Sequence, residues 1–414
     1  MVDFGLVSEN RNFALLWASH LTSSFGDGLR RVALPWLVYI LTGSPVQLGI
    51  SFAFGFLPDI FVSPITGYYV DKISRKKILF FSYVANGLVI LLLPVSNYLG
   101  FLNIYMVYIA MVGLHLVGSF FYEARFSVIP DLVGKERLDE ANSFLYSNRA
   151  LISLFSVTSA GVLIEIIGIN ITFIIDSFTF FLGSGIISLA AIPHEEKSVP
   201  KGLIQKVNEI IKENKEALKE MRHTIIEKIV IIGIPLNFAT VPFILVFTDI
   251  AHGLFGSAMA LSGLLFAEGV GRLVGNYAVN KVPWKRVTKC WAGILIMAIF
   301  VLTLGITGLM IVDLIPVYPL PILIVFALLV ILIEIGQPIM NVASDSVVQS
   351  KASDENRGKI LALSDGLLNI PFPFASLVVG IILSWFSPFL VLLLLGSILL
   401  LTAISAKRMY SAVK

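Results

Sequence analysis

The sequence predicts an all-α membrane protein, with twelve transmembrane helices arranged as two pseudo-symmetric six-helix bundles. Three observations predict it. Of 414 residues, 57% are apolar and 14% charged, against roughly 45–50% and roughly 25% in soluble domains; mean hydropathy is +0.89. The apolar residues gather into continuous runs that reach the roughly 20 positions a bilayer-crossing helix needs. Basic residues fall in alternate connections between those runs and leave the others empty, as the positive-inside rule requires. Apolar runs that are continuous rather than alternating exclude a transmembrane β-barrel.

In order, the runs cover 12–41, 46–70, 78–96, 102–122, 142–165, 169–192, 224–247, 255–279, 289–312, 316–341, 360–384 and 386–406. Arg11 precedes the first. Lys72, Arg75, Lys76 and Lys77 separate the second from the third, and Arg125, Lys135 and Arg137 the fourth from the fifth. Between the sixth and seventh stand Lys197, Lys201, Lys206, Lys212, Lys215, Lys219 and Arg222. Lys281, Lys285, Arg286 and Lys289 follow the eighth, Lys351, Arg357 and Lys359 the tenth, and Lys407, Arg408 and Lys414 the last. These positions hold 25 of the 30 basic residues. Arg30, Arg31, Arg149, Lys228 and Arg272 lie within helices or at their ends, so the outer loops have none. The asymmetry places both termini in the cytoplasm of a multi-pass protein of the cell membrane. No basic n-region precedes Phe13, and Asp3 and Glu9 stand there instead, so no cleavable signal peptide is expected.

The long connection at 193–223 divides the chain into an N-terminal bundle, 1–192, and a C-terminal bundle, 224–414. Its apolar residues Leu203, Val207, Ile210, Ile211, Leu218 and Met221 recur at helical spacing among lysines and glutamates. An amphipathic helix on the cytoplasmic membrane surface and a solvated linker helix fit this pattern equally. The halves resemble each other. Gly67-Tyr-Tyr-Val-Asp-Lys-Ile-Ser-Arg-Lys-Lys77 closes the second run, and Gly275-Asn-Tyr-Ala-Val-Asn-Lys-Val-Pro-Trp-Lys-Arg286 closes the eighth with one residue inserted. Ser127-Val128-Ile129 matches Ser346-Val347-Val348 at a distance of 219 positions, and Gly161 matches Gly380 at the same distance. Parallel repeats of this kind mark secondary transporters.

Gly67, Asp71, Lys72, Arg75 and Lys76 match the signature G-x-x-x-D-[RK]-x-G-[RK]-[RK] that major facilitator superfamily transporters carry between helices 2 and 3, and the chain resembles that family. Phe25-Gly-Asp-Gly28, Ala33-Leu-Pro-Trp36, Leu41-Thr-Gly-Ser44, Glu123-Ala-Arg125, Ile129-Pro-Asp-Leu132 and Ala141-Asn142 are similar to its macrolide-efflux and siderophore-export branch. Ser74 replaces the second glycine of the signature, Asn280 replaces the acid of the second copy, and helix 5 keeps Gly161 without a Gly-Pro pair. The resemblance implies the major facilitator fold and export of a hydrophobic or amphipathic small molecule, drug-like or a siderophore, by proton antiport and alternating access. It also implies a monomer whose helices 1, 4, 7 and 10 line a central cavity. The alternative is proton-coupled or facilitative uptake of a small polar metabolite. The missing Gly-Pro pair and the Asp27/Arg30/Arg31 cluster, suited to a zwitterion or an anion, favour it.

An ionisable residue in a helix core costs roughly 2.5–3.5 kcal/mol on insertion scales, so each is a functional candidate. His20, Ser24, Asp27 and Arg31 stand at i, i+4, i+7 and i+11 of the first helix, with Arg30 beside them. Helix 10 carries Glu334, Gln337 and Asn341 on one face, helix 4 His115 and Ser119, and helix 7 Asn237 and Thr240. Asp27, Glu334 and His115 are the proton-coupling candidates, and the other nine the substrate-cavity candidates. A permanent Asp27–Arg30 or Asp27–Arg31 pair is the competing reading of the first group. Gly67, Asp71, Arg75, Glu123 and Arg125 are expected to form an inner gate whose contacts exist in one access state only. Glu268 and Arg272 are expected to pair at i, i+4 beside a Gly271/Gly275 packing face, and Pro371 and Pro373 to kink helix 11. Asp59 and Arg149 each need a long-range partner, and Asp176 reads as structural.

No G-x-x-x-x-G-K-[ST] loop is present, so no nucleotide is expected, and H-E-x-x-H and G-x-S-x-G are absent too. The reading is a transporter and not an enzyme, with no cofactor and no metal. One cysteine, Cys290, excludes an internal disulfide framework and a cysteine-based zinc site. A net charge of +3 gives no reason to expect nucleic acid. The partners expected are a small-molecule substrate, protons and the lipid bilayer.

Overall fold

The computed structural model describes residues 5–192, 203–351 and 357–411, and among these every regular element is a helix. In chain order the helices are α1 (Gly5–Glu9), α2 (Arg11–Thr42), α3 (Pro45–Lys72), α4 (Arg75–Tyr98), α5 (Ile104–Val133), α6 (Leu138–Ile167), α7 (Ile169–Ser188) and α8 (Leu203–Met221). They continue as α9 (Ile225–Thr240), α10 (Phe243–Ile250), α11 (Ala258–Lys281), α12 (Arg286–Ile311), α13 (Pro319–Lys351), α14 (Arg357–Asn369), α15 (Pro371–Leu383) and α16 (Pro388–Ser411). Side chains with a hydrogen-bonding oxygen begin several of them. Asn10, Asn103, Thr224 and Ser257 each accept from a backbone N–H of the first turn, satisfying a donor the helix leaves open. Gly43 ends α2 in the left-handed conformation, φ 59°, with its N–H on the Tyr39 carbonyl.

Ten segments of the described residues are long and apolar enough to cross a bilayer. The expected span over α2 is not among them, and that over α3 includes residues outside the described ones. In α2 the reason is its polar content: Ser19, His20, Thr22, Ser23, Ser24, Asp27, Arg30 and Arg31 dilute a helix of 32 residues. The seventh span is α9, α10 and a π-helical turn at Ala251–Phe255 in succession. The eleventh is broken at Ile370, where Pro371 starts a new helix. The Leu368 carbonyl beside the break is taken by Asn237 Nδ2 at 2.8 Å, which satisfies a backbone group that lipid would leave bare. Large apolar side chains such as Phe81, Phe155, Phe178, Met310 and Leu401 are exposed, an exterior suited to hydrocarbon and not to water.

The chain forms two compact units. The first comprises Met1–Gly43 and Phe54–Asn208, the second Ser44–Ala53 and Glu209–Lys414. In the first unit α2 packs on α6 and α7, and α4 packs on α5 and α7. Glycines set the closest crossings. A Cβ on Gly28 would stand 1.8 Å from Ser156 Oγ on α6, and one on Gly26 would stand 2.2 Å from Thr179 Oγ1 on α7. Tyr83 is fully buried and donates to Ser19 Oγ at 3.3 Å, and Ser177 Oγ donates to the Gly87 carbonyl at 2.8 Å. In the second unit α12 packs on α13 and α16, and α11 on α13. Gly293 and Gly336 face each other there, with a Cβ on either falling 2.4–2.5 Å from the other's carbonyl. Cys290 is buried in α12, where Ser344 Oγ of α13 donates to its Sγ at 3.5 Å. Residues 44–53 join this unit through Gly49, where a Cβ would meet the Ser376 carbonyl at 2.4 Å.

Candidate functional site

The glycines that flank Asp27 bring α2 against α6 and α7, and so place its charged residues beside an acid of α7. Arg30 Nη1 donates to Asp176 Oδ2 at 3.0 Å and to Oδ1 at 3.3 Å, while Nη2 donates to Asp27 Oδ1. The Arg30 guanidinium also lies 5.2 Å from the centre of the Phe180 ring. Asp176 is fully buried, whereas the Asp27 side chain is 39% exposed. One guanidinium thus joins an acid sealed in the core to an acid that remains accessible. Two carboxylates and one guanidinium sum to −1 when all are ionised, so taking up one proton neutralises the group. Arg149 of α6 lies within electrostatic reach of Asp27 as well. Arg31 is partly buried on the same helix.

One and two turns before Asp27, Ser24 and His20 are buried. His20 Nε2 lies 2.6 Å from Arg125 Nη1 of α5. A guanidinium only donates, so Nε2 accepts and the imidazole carries its proton on Nδ1. Arg125 is itself buried, with the rings of Tyr122 and Phe126 within 5.7 Å and 5.2 Å. Arg149 finds its long-range partner in Tyr122, whose hydroxyl accepts at 2.9 Å. Elsewhere on α5, His115 Nδ1 donates to Asp59 Oδ2 of α3 at 2.8 Å, and Ser119 Oγ donates to Asp59 Oδ1 at 3.0 Å.

Of the expected inner gate, Arg75 donates to Asp131 and, at 2.9 Å, to the Ser127 carbonyl, both near the end of α5. Glu123 is exposed on α5. Gly67 and Asp71 lie on α3, and their surroundings fall outside the described residues. The same end of α5 receives the N-terminal segment, since Asn10 Nδ2 donates to the Leu132 carbonyl at 2.7 Å. Arg137 in the turn after α5 donates to Glu140 at 2.9 Å and to Glu9 at 2.6 Å. These hydrogen bonds, Glu140's first, raise its pKa above the ordinary arginine value.

In the second unit, Glu334 and Gly271 sit where α13 crosses α11. A Cβ on Gly271 would meet the Ile331 carbonyl at 2.5 Å and Glu334 Cβ at 2.7 Å. Arg272 therefore reaches both helices: Nη2 donates to Glu268 Oε1 at 2.6 Å and Nε to Glu334 Oε2 at 2.9 Å. Both acids are buried, while the arginine side chain is 42% exposed. The expected Glu268–Arg272 pair exists, and Glu334 joins it as a third member. Gln337 is partly buried and Asn341 exposed on α13. Asn237 spends its amide on α14, as above, and Thr240 donates to the Leu236 carbonyl of its own helix at 3.1 Å.

Sequence reasoning therefore missed Asp176 as a partner of Arg30, Arg272 as a partner of Glu334, Asp59 as a site residue and Asp131 as a partner of Arg75. Periodicity reports neighbours within a helix and is silent about contacts between helices. The glycines beside Asp27 and Arg272 were the available signal, because they mark close crossings.

Comparison with known proteins agrees with this architecture. The chain is 27% identical over 386 residues to the multidrug efflux pump Tap of Mycobacterium tuberculosis (strain ATCC 25618 / H37Rv), covering 89% of this chain and 86% of that protein. It is 23% identical over 392 residues to macrolide efflux protein A of Streptococcus pyogenes, covering 90% and 88%. The crystal structure of the nucleoside transporter NupG superimposes with a TM-score of 0.73 at 10% identity, covering 96% of this chain and 99% of that one, a likeness of fold alone. Residues 16–318 match the Major Facilitator Superfamily. A multi-pass helical membrane protein with this match across most of its length belongs to that superfamily of transporters.

Proposed function

We propose that this protein exports a hydrophobic or amphipathic small molecule across the cell membrane by proton antiport and alternating access. The full-length likeness to two proteins named for efflux supports the direction and the substrate class. One observation carries the coupling: Asp27 is the accessible arm of an ion network whose other acid, Asp176, is sealed in the bundle. Proton uptake by Asp27 frees Arg30 to hold Asp176 alone, and proton release restores the shared arrangement. Glu334 serves the same purpose in the second unit, balanced against Arg272 and Glu268. Both termini are cytoplasmic, and the contacts of Arg75 at the end of α5 form part of an inner gate with Gly67, Asp71, Glu123 and Arg125. The protein acts as a monomer and catalyses no bond rearrangement. Uptake of an anion or zwitterion at Asp27, Arg30 and Arg31 is the weaker reading, because Arg30 is committed to Asp176.

Proteoliposomes with an entrapped pH dye test the scheme. Wild-type protein is expected to move protons when substrate is added, and Asp27→Asn to abolish that movement. Unchanged proton flux in the variant removes Asp27 from the mechanism. Drug accumulation in everted vesicles, measured against right-side-out vesicles, separates export from uptake.

A further inference from the structure

The seam between α3 and α5 holds a charge arrangement that differs from both acid–arginine clusters. Asp59 accepts from His115 Nδ1 and from Ser119 Oγ, and among the described residues it forms an ion pair with no lysine or arginine. Its counter-ion is an imidazole, which is cationic only when protonated. Gly55 gives that ring its seat, since a Cβ there would stand 3.0 Å from His115 Nε2. The seam is aromatic: the Phe56 and His115 rings meet edge-on at 5.5 Å, and those of Phe54 and Tyr108 at 5.3 Å. The Asp59 side chain is 45% exposed and that of His115 28%, so one side of the pair is open.

The titratable groups of the surrounding elements are engaged elsewhere. On α2, Asp27 is held by Arg30 and His20 by Arg125. Tyr83 of α4 is bonded to Ser19, Arg75 to Asp131, and Arg149 of α6 to Tyr122. Among the described residues, the polar side-chain partners of Asp59 are His115 and Ser119, and the ion-pair partner of His115 is Asp59.

We propose that Asp59 binds the positively charged nitrogen or phosphorus centre of an organic cation, and that this cation exchanges there with a proton on His115. With a neutral imidazole the pair carries −1, and its open side accepts a cation whose hydrophobic body rests on the Phe54, Phe56 and Tyr108 rings. With an imidazolium the pair sums to zero and that attraction is gone. Binding of one cation thus releases one proton at this pair, and the coupling of that exchange to transport remains with Asp27. The inference deepens the exporter reading, on which its physiological meaning rests, by naming the substrate class.

Equilibrium binding of tetraphenylphosphonium to purified protein in detergent tests it without any gradient. Wild-type affinity is expected to be about tenfold higher at about pH 8 than at about pH 6. Asp59→Asn is expected to weaken binding at the higher pH by about tenfold or more. His115→Gln, which keeps an amide donor, is expected to bind equally at both pH values. Matching elution profiles and melting temperatures establish that the variants fold; where Asp59→Asn does not, the pH response of His115→Gln decides alone. Wild-type affinity in Asp59→Asn, wild-type pH dependence in His115→Gln, or no binding by wild type at either pH overturns the proposal. The exporter reading is judged separately, from gradient-driven accumulation by wild-type vesicles, so binding without transport and transport without Asp59-dependent binding are distinct results.

Discussion

Arg272 and Arg30 each serve two acids, but with opposite exposure. In the first unit the guanidinium is mostly buried and Asp27 is open, whereas in the second both acids are buried and Arg272 is the open member. A charge left in a low-dielectric interior without its partner is costly, by roughly 3–5 kcal/mol when one member of a buried pair is removed. Arg272→Leu is therefore expected to lower stability by about 3 kcal/mol, read as a fall in melting temperature. Adding Glu334→Gln should recover part of that loss, because it removes one of the two acids that face the lost guanidinium. A double variant no more stable than the single one would mean that Glu334 stays protonated in the resting protein. The sequence showed Arg272 and Glu268 to be neighbours, four positions apart on one helix. It was silent on Glu334, 62 positions away, because only the crossing of α11 and α13 brings it near.

At the scale of elements, small residues decide which helices meet and therefore which charges meet. Gly26 and Gly28 admit α7 and α6 to the face of α2 that bears Asp27 and Arg30. Gly28→Ala drives a methyl group into Ser156 and is expected to cost about 1–3 kcal/mol through overpacking. Ser156→Gly in the same chain should recover most of it, and thermal unfolding of the three variants checks both statements. Asn237→Leu should cost about 1 kcal/mol, the value of an interhelical hydrogen bond in a membrane, by exposing the Leu368 carbonyl at the α14–α15 break. Proline placement made that break legible in advance. The identity of the group that covers the freed carbonyl was not legible, since a polar residue on α9 serves a cavity or a neighbouring backbone equally well until the rotation of the helix is known.

For the whole molecule, composition and the spacing of apolar runs were sufficient for fold class, because the bilayer permits so few backbone solutions. One of the expected spans is marked less by hydropathy than by context: α2 trades apolar residues for polar and charged ones, and only its length and place in the series identify it. Orientation rests on the distribution of basic residues alone. A C-terminal green fluorescent protein fusion is expected to fluoresce and a C-terminal alkaline phosphatase fusion to stay inactive; the reverse would invert the topology and the direction of every step proposed above.

Cys290 offers a practical gain. As the chain's single thiol, sheltered where α12 meets α13, it is a built-in gauge of how often those helices part. A maleimide should leave it untouched in folded protein and tag it as the bundle melts. Replacing it with serine or alanine yields a thiol-free background in one step. Pairs of spin labels or fluorophores can then be introduced at chosen helix ends, and the distance between them measured with and without substrate.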